Sequence, residues 1–255
     1  MKDKVVIVTG GSSGMGKAMA KKFAAEGAFV TITGRNLENL EAAKQEIETF
    51  DGQVLCVQMD VRDPELVQQM VDKTKATFGK IDHLVNNAAG NFVAPAEKLS
   101  LNAWNSVINI VLNGTWYCTQ AVGKEWIENG QKGSIINILA TYAWTAGAGV
   151  IHSASAKAGV MAMTRTLAVE WGTQYGIRVN AIAPGPIENT GGMDKLVMSE
   201  KHYNAMMRSI PLRRLGRPDE IADLAYFLFS DSAAYINGDV ITMDGGQWLN
   251  NQMFL

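Results

Sequence analysis

Tyr142, Ser153 and Lys157 fall within one stretch, Asn137 to Gly159 (NILATYAWTAGAGVIHSASAKAG). Ser153 and Lys157 are four apart at the start of a helix-like run, so hydroxyl and ammonium stand one turn apart on one face. A tyrosine ionises near ~10, and a neighbouring ammonium favours the phenolate and lowers that value. Tyr142 beside Lys157 is therefore expected to be an acidified phenol, able to give or share a proton near neutral pH. Taken alone, these side chains read first as ordinary surface residues. What gives them a chemical role is the chain around them.

A proton donor needs a reactant, and the chain opens with a place to hold a phosphate. Val5 to Thr9 is a short apolar run suited to a buried parallel strand. Gly10-Gly11-Ser12-Ser13-Gly14-Met15-Gly16 follows, then an amphipathic helix from Lys17 to Glu26. Glycines let the backbone turn sharply and approach a pyrophosphate, and the helix N-terminus offers unpaired N–H groups to the anion. The spacing is G-x-x-x-G-x-G, not the standard G-x-G-x-x-G.

The second strand, Phe29 to Thr33, ends in Gly34-Arg35-Asn36. The Asp or Glu that would accept from a ribose 2′-hydroxyl is absent, and Arg35 stands where a 2′-phosphate would need a cation. With the hydroxyls of Ser12 and Ser13 as added donors, this favours NADP(H); a solvated loop charge is the alternative. Helix Leu37 to Phe50 and strand Gln53 to Met59 lead to Asp60-Val61. Asp60 could accept from an adenine amino group or cap the helix that starts after Pro64. Helix Glu65 to Phe78 and strand His83 to Val85 run into Asn86-Asn87-Ala88-Ala89-Gly90-Asn91-Phe92, whose small residues would let a cofactor lie against backbone. One helix is expected from Leu101 to Asn129, with Trp104, Trp116 and Trp126 as core or subunit contacts. Another runs from Ser153 to Trp171. Strand Arg178 to Ala183 follows, then Pro184-Gly185-Pro186-Ile187, a turn locked by its prolines. Helix Pro218 to Phe229 and strand Val240 to Met243 close the sheet.

The bulk properties fit one α/β domain. At 255 residues and 47% hydrophobic the chain has material for one large core. A net charge of -2 and a pI near 6.0 give no basic surface for nucleic acid or anionic membrane. Cys56 and Cys118, each in an apolar run, read as buried thiols in a reducing compartment. The sequence holds no signal-like or membrane-length apolar run, and Met253-Phe254-Leu255 lacks the peroxisomal address, so cytoplasm is expected.

Thr9-Gly10-x-x-x-Gly14-x-Gly16, Asp60-Val61, Asn86-Asn87-Ala88-Ala89-Gly90, the lysine-bearing helix and Pro184-Gly185-Pro186-Ile187 occur in the order found in the short-chain dehydrogenase/reductase superfamily, which the chain resembles along its whole length. The resemblance implies a single doubly wound (Rossmann) domain, with a seven-stranded parallel sheet and helices on both faces. It implies a nicotinamide cofactor and, commonly, a homotetramer. Carried over position by position, it assigns cofactor contacts to Gly10, Ser12, Ser13, Gly14, Met15 and Gly16, then to Arg35, Asp60 and Val61. Asn87, Ala88, Gly90, Lys157, Pro184, Gly185 and Ile187 complete that set.

Departures from the superfamily pattern carry more information. Its catalytic tyrosine usually lies four residues before the lysine, with a serine at the end of strand five. Here those positions hold Ser153 and Ala140, and a serine is too short and too weak an acid to stand in for a phenol. Tyr142, two residues past Ala140, is the available supplier. This rearranged set, with Asn91 in NNAAGNF, is similar to the bacterial 2,4-dienoyl-CoA reductase branch, in which the asparagine, displaced tyrosine, serine and lysine form the catalytic group. The match extends through Val111-Leu112-Asn113-Gly114-Thr115 and Leu167-Ala168-Val169-Glu170-Trp171-Gly172. It implies hydride transfer from NADPH to a conjugated acyl-CoA. A carbonyl or 3-oxoacyl reductase, and a catalytically silent NADP-binding scaffold or sensor, are the alternatives. His152 is a second candidate acid, and Asn113 a candidate prop for Lys157. His83 and His202 show no metal-ligand spacing. Residues 188 to 210, with Met193, Met198, Met206 and Met207, read as a lid over an acyl chain, since unbranched thioethers suit an adaptable apolar groove. Lys195, Lys201 and Arg208 are candidate contacts for CoA phosphates.

Overall fold

The computed structural model describes residues 1–48, 53–191 and 199–250, apart from the side chain of His202. Phe50, Met193, Lys195, Met198, the His202 ring and the terminal Met253-Phe254-Leu255 lie outside the described residues.

Seven parallel strands form one sheet: β1 (Val5–Thr9), β2 (Phe29–Gly34), β3 (Val54–Gln58), β4 (His83–Asn86), β5 (Ser134–Ile138), β6 (Arg178–Pro184) and β7 (Val240–Met243). Their order is β3-β2-β1-β4-β5-β6-β7. The helices are α1 (Gly14–Ala25), α2 (Leu37–Ile47), α3 (Pro64–Phe78), α4 (Leu101–Ile108), α5 (Gly114–Glu128), α6 (Ile151–Tyr175), α7 (Glu200–Ser209) and α8 (Pro218–Phe229).

The alternation of side chains along each strand divides the core in two. Val6 and Val8 of β1 face Met19 and Phe23 of α1 and Leu228 of α8, whereas Ile7 between them faces Met70 of α3 and Trp126 of α5. Burying side chains such as Phe23 or Met19 completely stabilises by about 1.5–3 kcal/mol each relative to exposure. Both faces are covered, which is why β1 and β5 are buried at every position and mostly apolar. The buried indole N–H of Trp126 is satisfied by the Ile81 carbonyl at 2.7 Å. Cys118 is fully buried with its thiol pushed up to about 12, while Cys56 is only half-buried, less than expected.

The chain builds β1, β2 and β3 outward and then crosses back to lay β4 on the other side of β1. The loops after β1 and β4 therefore part at the carboxyl edge, the crevice where ligands of such sheets bind. Thr9 joins these loops: its hydroxyl accepts from the amides of Asn87 and Ala88, both at 3.0 Å, and donates to the Val85 carbonyl.

The helix expected from Leu101 to Asn129 is broken by a π-helical turn, Asn109–Asn113. Gly114, just after it, lies so close to Val61 that a Cβ would come within 2.6 Å of Val61 Cγ2. The wider turn sets which residues face α6. Val111 packs with Ala156 and Val160, while Asn113 donates to the Asn109 side chain at 2.8 Å.

Candidate active site

A cavity of about 700 Å³ runs along the carboxyl ends of six strands, from Arg35 and Asp60 beyond β2 and β3 to Tyr142, Lys157 and Pro184 beyond β5 and β6. Its floor near β1 is backbone. Gly10 and Gly14 have φ of 65° and 51°, which disfavour any side chain. Gly16 does not line the cavity, contrary to expectation. It is a spacer: a Cβ there would sit 2.2 Å from the Gly10 carbonyl oxygen and 2.5 Å from Asn87 Nδ2. Asn87 holds the same turn by donating to the carbonyls of Thr9 and Gly10 at 2.9 and 3.1 Å. Ser13 occupies the N-cap of α1 without a side-chain capping bond, so its hydroxyl is uncommitted beside the exposed N–H groups of the first turn. These features fit a dinucleotide pyrophosphate.

At the β2–β3 end Arg35 is exposed at the rim. Asp60 lines the cavity but does not cap α3. That task belongs to Asp63, which accepts from the amides of Glu65 and Leu66. Both Asp60 oxygens face the Arg62 guanidinium, with Nη2 to Oδ2 at 2.6 Å, and this holds the carboxyl below its usual range.

At the β5–β6 end, three polar side chains meet. Tyr142 Oη and Ser153 Oγ are 3.0 Å apart, and Asn91 Nδ2 donates to Tyr142 Oη at 3.4 Å. Asn91 is itself oriented, its Oδ1 accepting from the Phe92 amide. Lys157 is buried, and its ammonium donates to the Ile138 carbonyl at the end of β5, at 2.5 Å. Burial pushes the Lys157 pKa down to about 8. Tyr142 is not acidified. Burial raises its pKa, the Ser153 hydrogen bond offsets this only in part, and Lys157 makes no contribution. The reason is placement: the ring reaches the site from the turn after β5 and meets the serine of α6, not the ammonium one turn further on.

Of the expected catalytic group and cofactor contacts, all except Gly16 line this cavity. Ala140 lies there too, just beyond the end of β5. Asn113 does not, since the π turn gives its place to Ile110. His152 is fully buried edge-on against Phe92, with no good hydrogen bond at either ring nitrogen. Burial lowers its pKa, with the Val150 backbone opposing, and it does not line the cavity. Thr190 and Met206, both within the expected lid, line the wall, and so does Gln247, which was not foreseen there. Gln247 carried no motif that could have marked it.

The doubly wound sheet, glycine floor and buried lysine define a nicotinamide-dependent oxidoreductase of the Rossmann class. Residues 10–247 match the family model described as enoyl-(acyl carrier protein) reductase, and the chain belongs to this family of short-chain dehydrogenase/reductases. It is similar, at 63% identity over the whole of both chains, to a Bacillus subtilis protein described as a probable 2,4-dienoyl-CoA reductase, (2E)-enoyl-CoA-producing. A Danio rerio peroxisomal 2,4-dienoyl-CoA reductase, (3E)-enoyl-CoA-producing, is 42% identical over 98% of this chain and 83% of its own. The crystal structure of a short chain dehydrogenase from Bacillus anthracis is 65% identical, covers 98% of each chain and superposes with a TM-score of 0.91.

Proposed function

We propose that the chain is an NADPH-dependent 2,4-dienoyl-CoA reductase. The observation that carries this reading is the contact of Asn91, Tyr142 and Ser153, which puts two hydrogen-bond donors together away from the helical position that Ser153 now fills. A reduced nicotinamide supplies hydride when bound. A dienoyl thioester accepts hydride at C5, the far end of its conjugated system. The two π bonds shift towards the carbonyl, and negative charge collects on the thioester oxygen. The donors must therefore lie farther from the hydride acceptor than in a ketone reductase. Tyr142 Oη and Asn91 Nδ2 hydrogen-bond that oxygen, as preorganised donors do in an oxyanion hole. Protonation of the resulting dienolate at C4 gives the 2-enoyl product and at C2 the 3-enoyl product.

Lys157 binds the nicotinamide ribose, and Ser153 holds the Tyr142 hydroxyl until substrate replaces it. Arg35 takes the 2′-phosphate through a charge-assisted contact. Gly10, Ser12 to Met15, Asp60-Val61, Asn87 to Gly90 and the Pro184–Ile187 turn, which line the cavity, would hold the cofactor. Residues 188–210 act as a lid over the acyl chain, supported by Thr190 and Met206 in the cavity wall. The chain works as a cytoplasmic homotetramer, supported by the bare apolar side chains of Leu101 on α4 and Val169 on α6, 80% and 72% exposed.

The test is NADPH oxidation with 2,4-hexadienoyl-CoA beside acetoacetyl-CoA. Turnover of the dienoyl substrate supports the reading. Turnover of acetoacetyl-CoA alone makes the chain a 3-oxoacyl reductase. A cofactor-dependent rise in melting temperature with neither activity makes it a silent binding protein.

A further inference from the structure

The turn after the last strand is fastened to three walls of the cavity at once. Asp244, 8% exposed, accepts from the amides of Gly246 at 2.9 Å and Trp248 at 2.7 Å, which folds Gln247–Leu249 into a single helical turn. Gly185, in the wall beyond β6, donates its amide to the Met243 carbonyl at 2.9 Å. It leaves no room beside Asp244, since a Cβ on Gly185 would come within 2.6 Å of Asp244 Cβ. Gln247 Nε2 donates to Ser209 Oγ and Asn250 Nδ2 to the Ser209 carbonyl, both at 2.8 Å, at the end of α7. The Ser209 hydroxyl in turn donates to the carbonyl of Met206, which lines the cavity. On the other side the Trp248 ring meets Trp144 edge to face, centroids 5.8 Å apart. Trp144 lies two residues beyond Tyr142 in the same turn.

We propose that residues 244–250 form a strap that holds α7 in register with the Tyr142 turn, with Gln247 and Trp248 as positioning residues for the acyl-CoA half of the site. The strap joins the wall bearing Met206 to the loop bearing the proton donor. A displacement of one is therefore carried to the other through Ser209, Gln247, Trp248 and Trp144. Its effect on substrate rests on the dienoyl-CoA reading; the mechanical link does not.

Two measurements on the full-length chain separate these. The first is amide hydrogen exchange in Ser209→Ala, which removes one oxygen from α7, and in Trp248→Ala. Both variants are expected to speed exchange by roughly threefold or more at residues 141–144 as well as 200–209, because local opening reports the stability of each segment. Trp248→Phe is expected to restore protection. Unchanged exchange at 141–144 in Ser209→Ala overturns the strap, whatever the enzyme turns over. The second is steady-state kinetics: in Trp248→Ala the KM for 2,4-hexadienoyl-CoA is expected to rise about tenfold with the KM for NADPH nearly unchanged. Equal rises in both constants, or none, overturn the positioning role. If the wild-type chain does not reduce the dienoyl substrate, the functional reading fails, and the exchange result still decides the strap. Ser209→Ala serves alone should Trp248→Ala fail to fold.

Discussion

At the scale of single residues, Tyr142 is a neutral phenol hydrogen-bonded to a serine, and its pKa is raised by burial. In the proposed mechanism it donates a hydrogen bond to developing charge, so kcat for dienoyl reduction is expected to be nearly flat between pH 6 and 7, below the range in which Lys157 gives up its proton. Replacing Tyr142 with phenylalanine should lower kcat by roughly 10²–10⁴-fold, the scale of lost acid catalysis. Full activity in that variant would remove Tyr142 from the mechanism. Lys157 behaves differently, because its charge is buried and its pKa falls from 10.5 to about 8. Below about pH 8 both folded and unfolded chains carry the proton, and the folded state bears the whole cost of burying it. Between about 8 and 10.5 the unfolded chain binds the extra proton, so stability rises with pH. Lys157→Met should therefore melt higher relative to wild type at pH 7 than at pH 10.5; a gap that does not close would contradict this. Tyr142 as the candidate donor was legible in the sequence because Ser153 stands where a phenol was expected, and the structure brings the two hydroxyls together. Its electrostatics were not, since the spacing along α6 fixes Ser153 against Lys157 but says nothing of where a ring on the preceding turn will point.

At the scale of elements, strand, glycine turn and helix are bound by contact between backbones. In Gly16→Ala the new methyl would lie 2.2 Å from the Gly10 carbonyl oxygen, a backbone atom that cannot swing aside. The variant is expected to lose about 1–3 kcal/mol of stability, as overpacking does. It should also weaken NADPH binding at least tenfold by isothermal titration, whereas a tight complex would show that the turn can shift. The sheet was readable strand by strand, because continuous apolar runs bounded by glycine, asparagine and proline have few other homes. The break between α4 and α5 was not readable. It adjoins a close approach of Val61, from a distant loop, to Gly114, and helical periodicity continues on both sides of a single wide turn. The same break explains why Asn113, plausible by register, stays away from Lys157.

At the scale of the whole molecule, stability also depends on groups far from the chemistry. His83, at the amino end of β4, stacks on Phe229 of α8 with centroids 4.3 Å apart, and burial pushes its pKa down to about 3. The unfolded chain takes up that proton near 6.5, so the stability His83 contributes is complete above pH 6.5 and is lost as pH falls towards 3. The slope approaches ~1.4 kcal/mol per unit. His83→Leu should flatten that acid limb in urea titrations at pH 4–7; an unchanged slope would assign the acid sensitivity elsewhere. If the bare face of α6 meets another subunit, Val169→Glu should lower the mass seen by light scattering. An unchanged mass would put the interface on another surface. Parallel strands also give the molecule a working rim and an idle one. Met1 to Lys4 enter β1 from the idle rim, beside Asp82, whereas residues 244–250 lie at the working rim, where Gln247 lines the cavity. An affinity handle or a solid support should therefore be attached through the amino terminus, where it leaves the mouth unobstructed, while a fusion at the other end would weigh on the part that holds the entrance in shape.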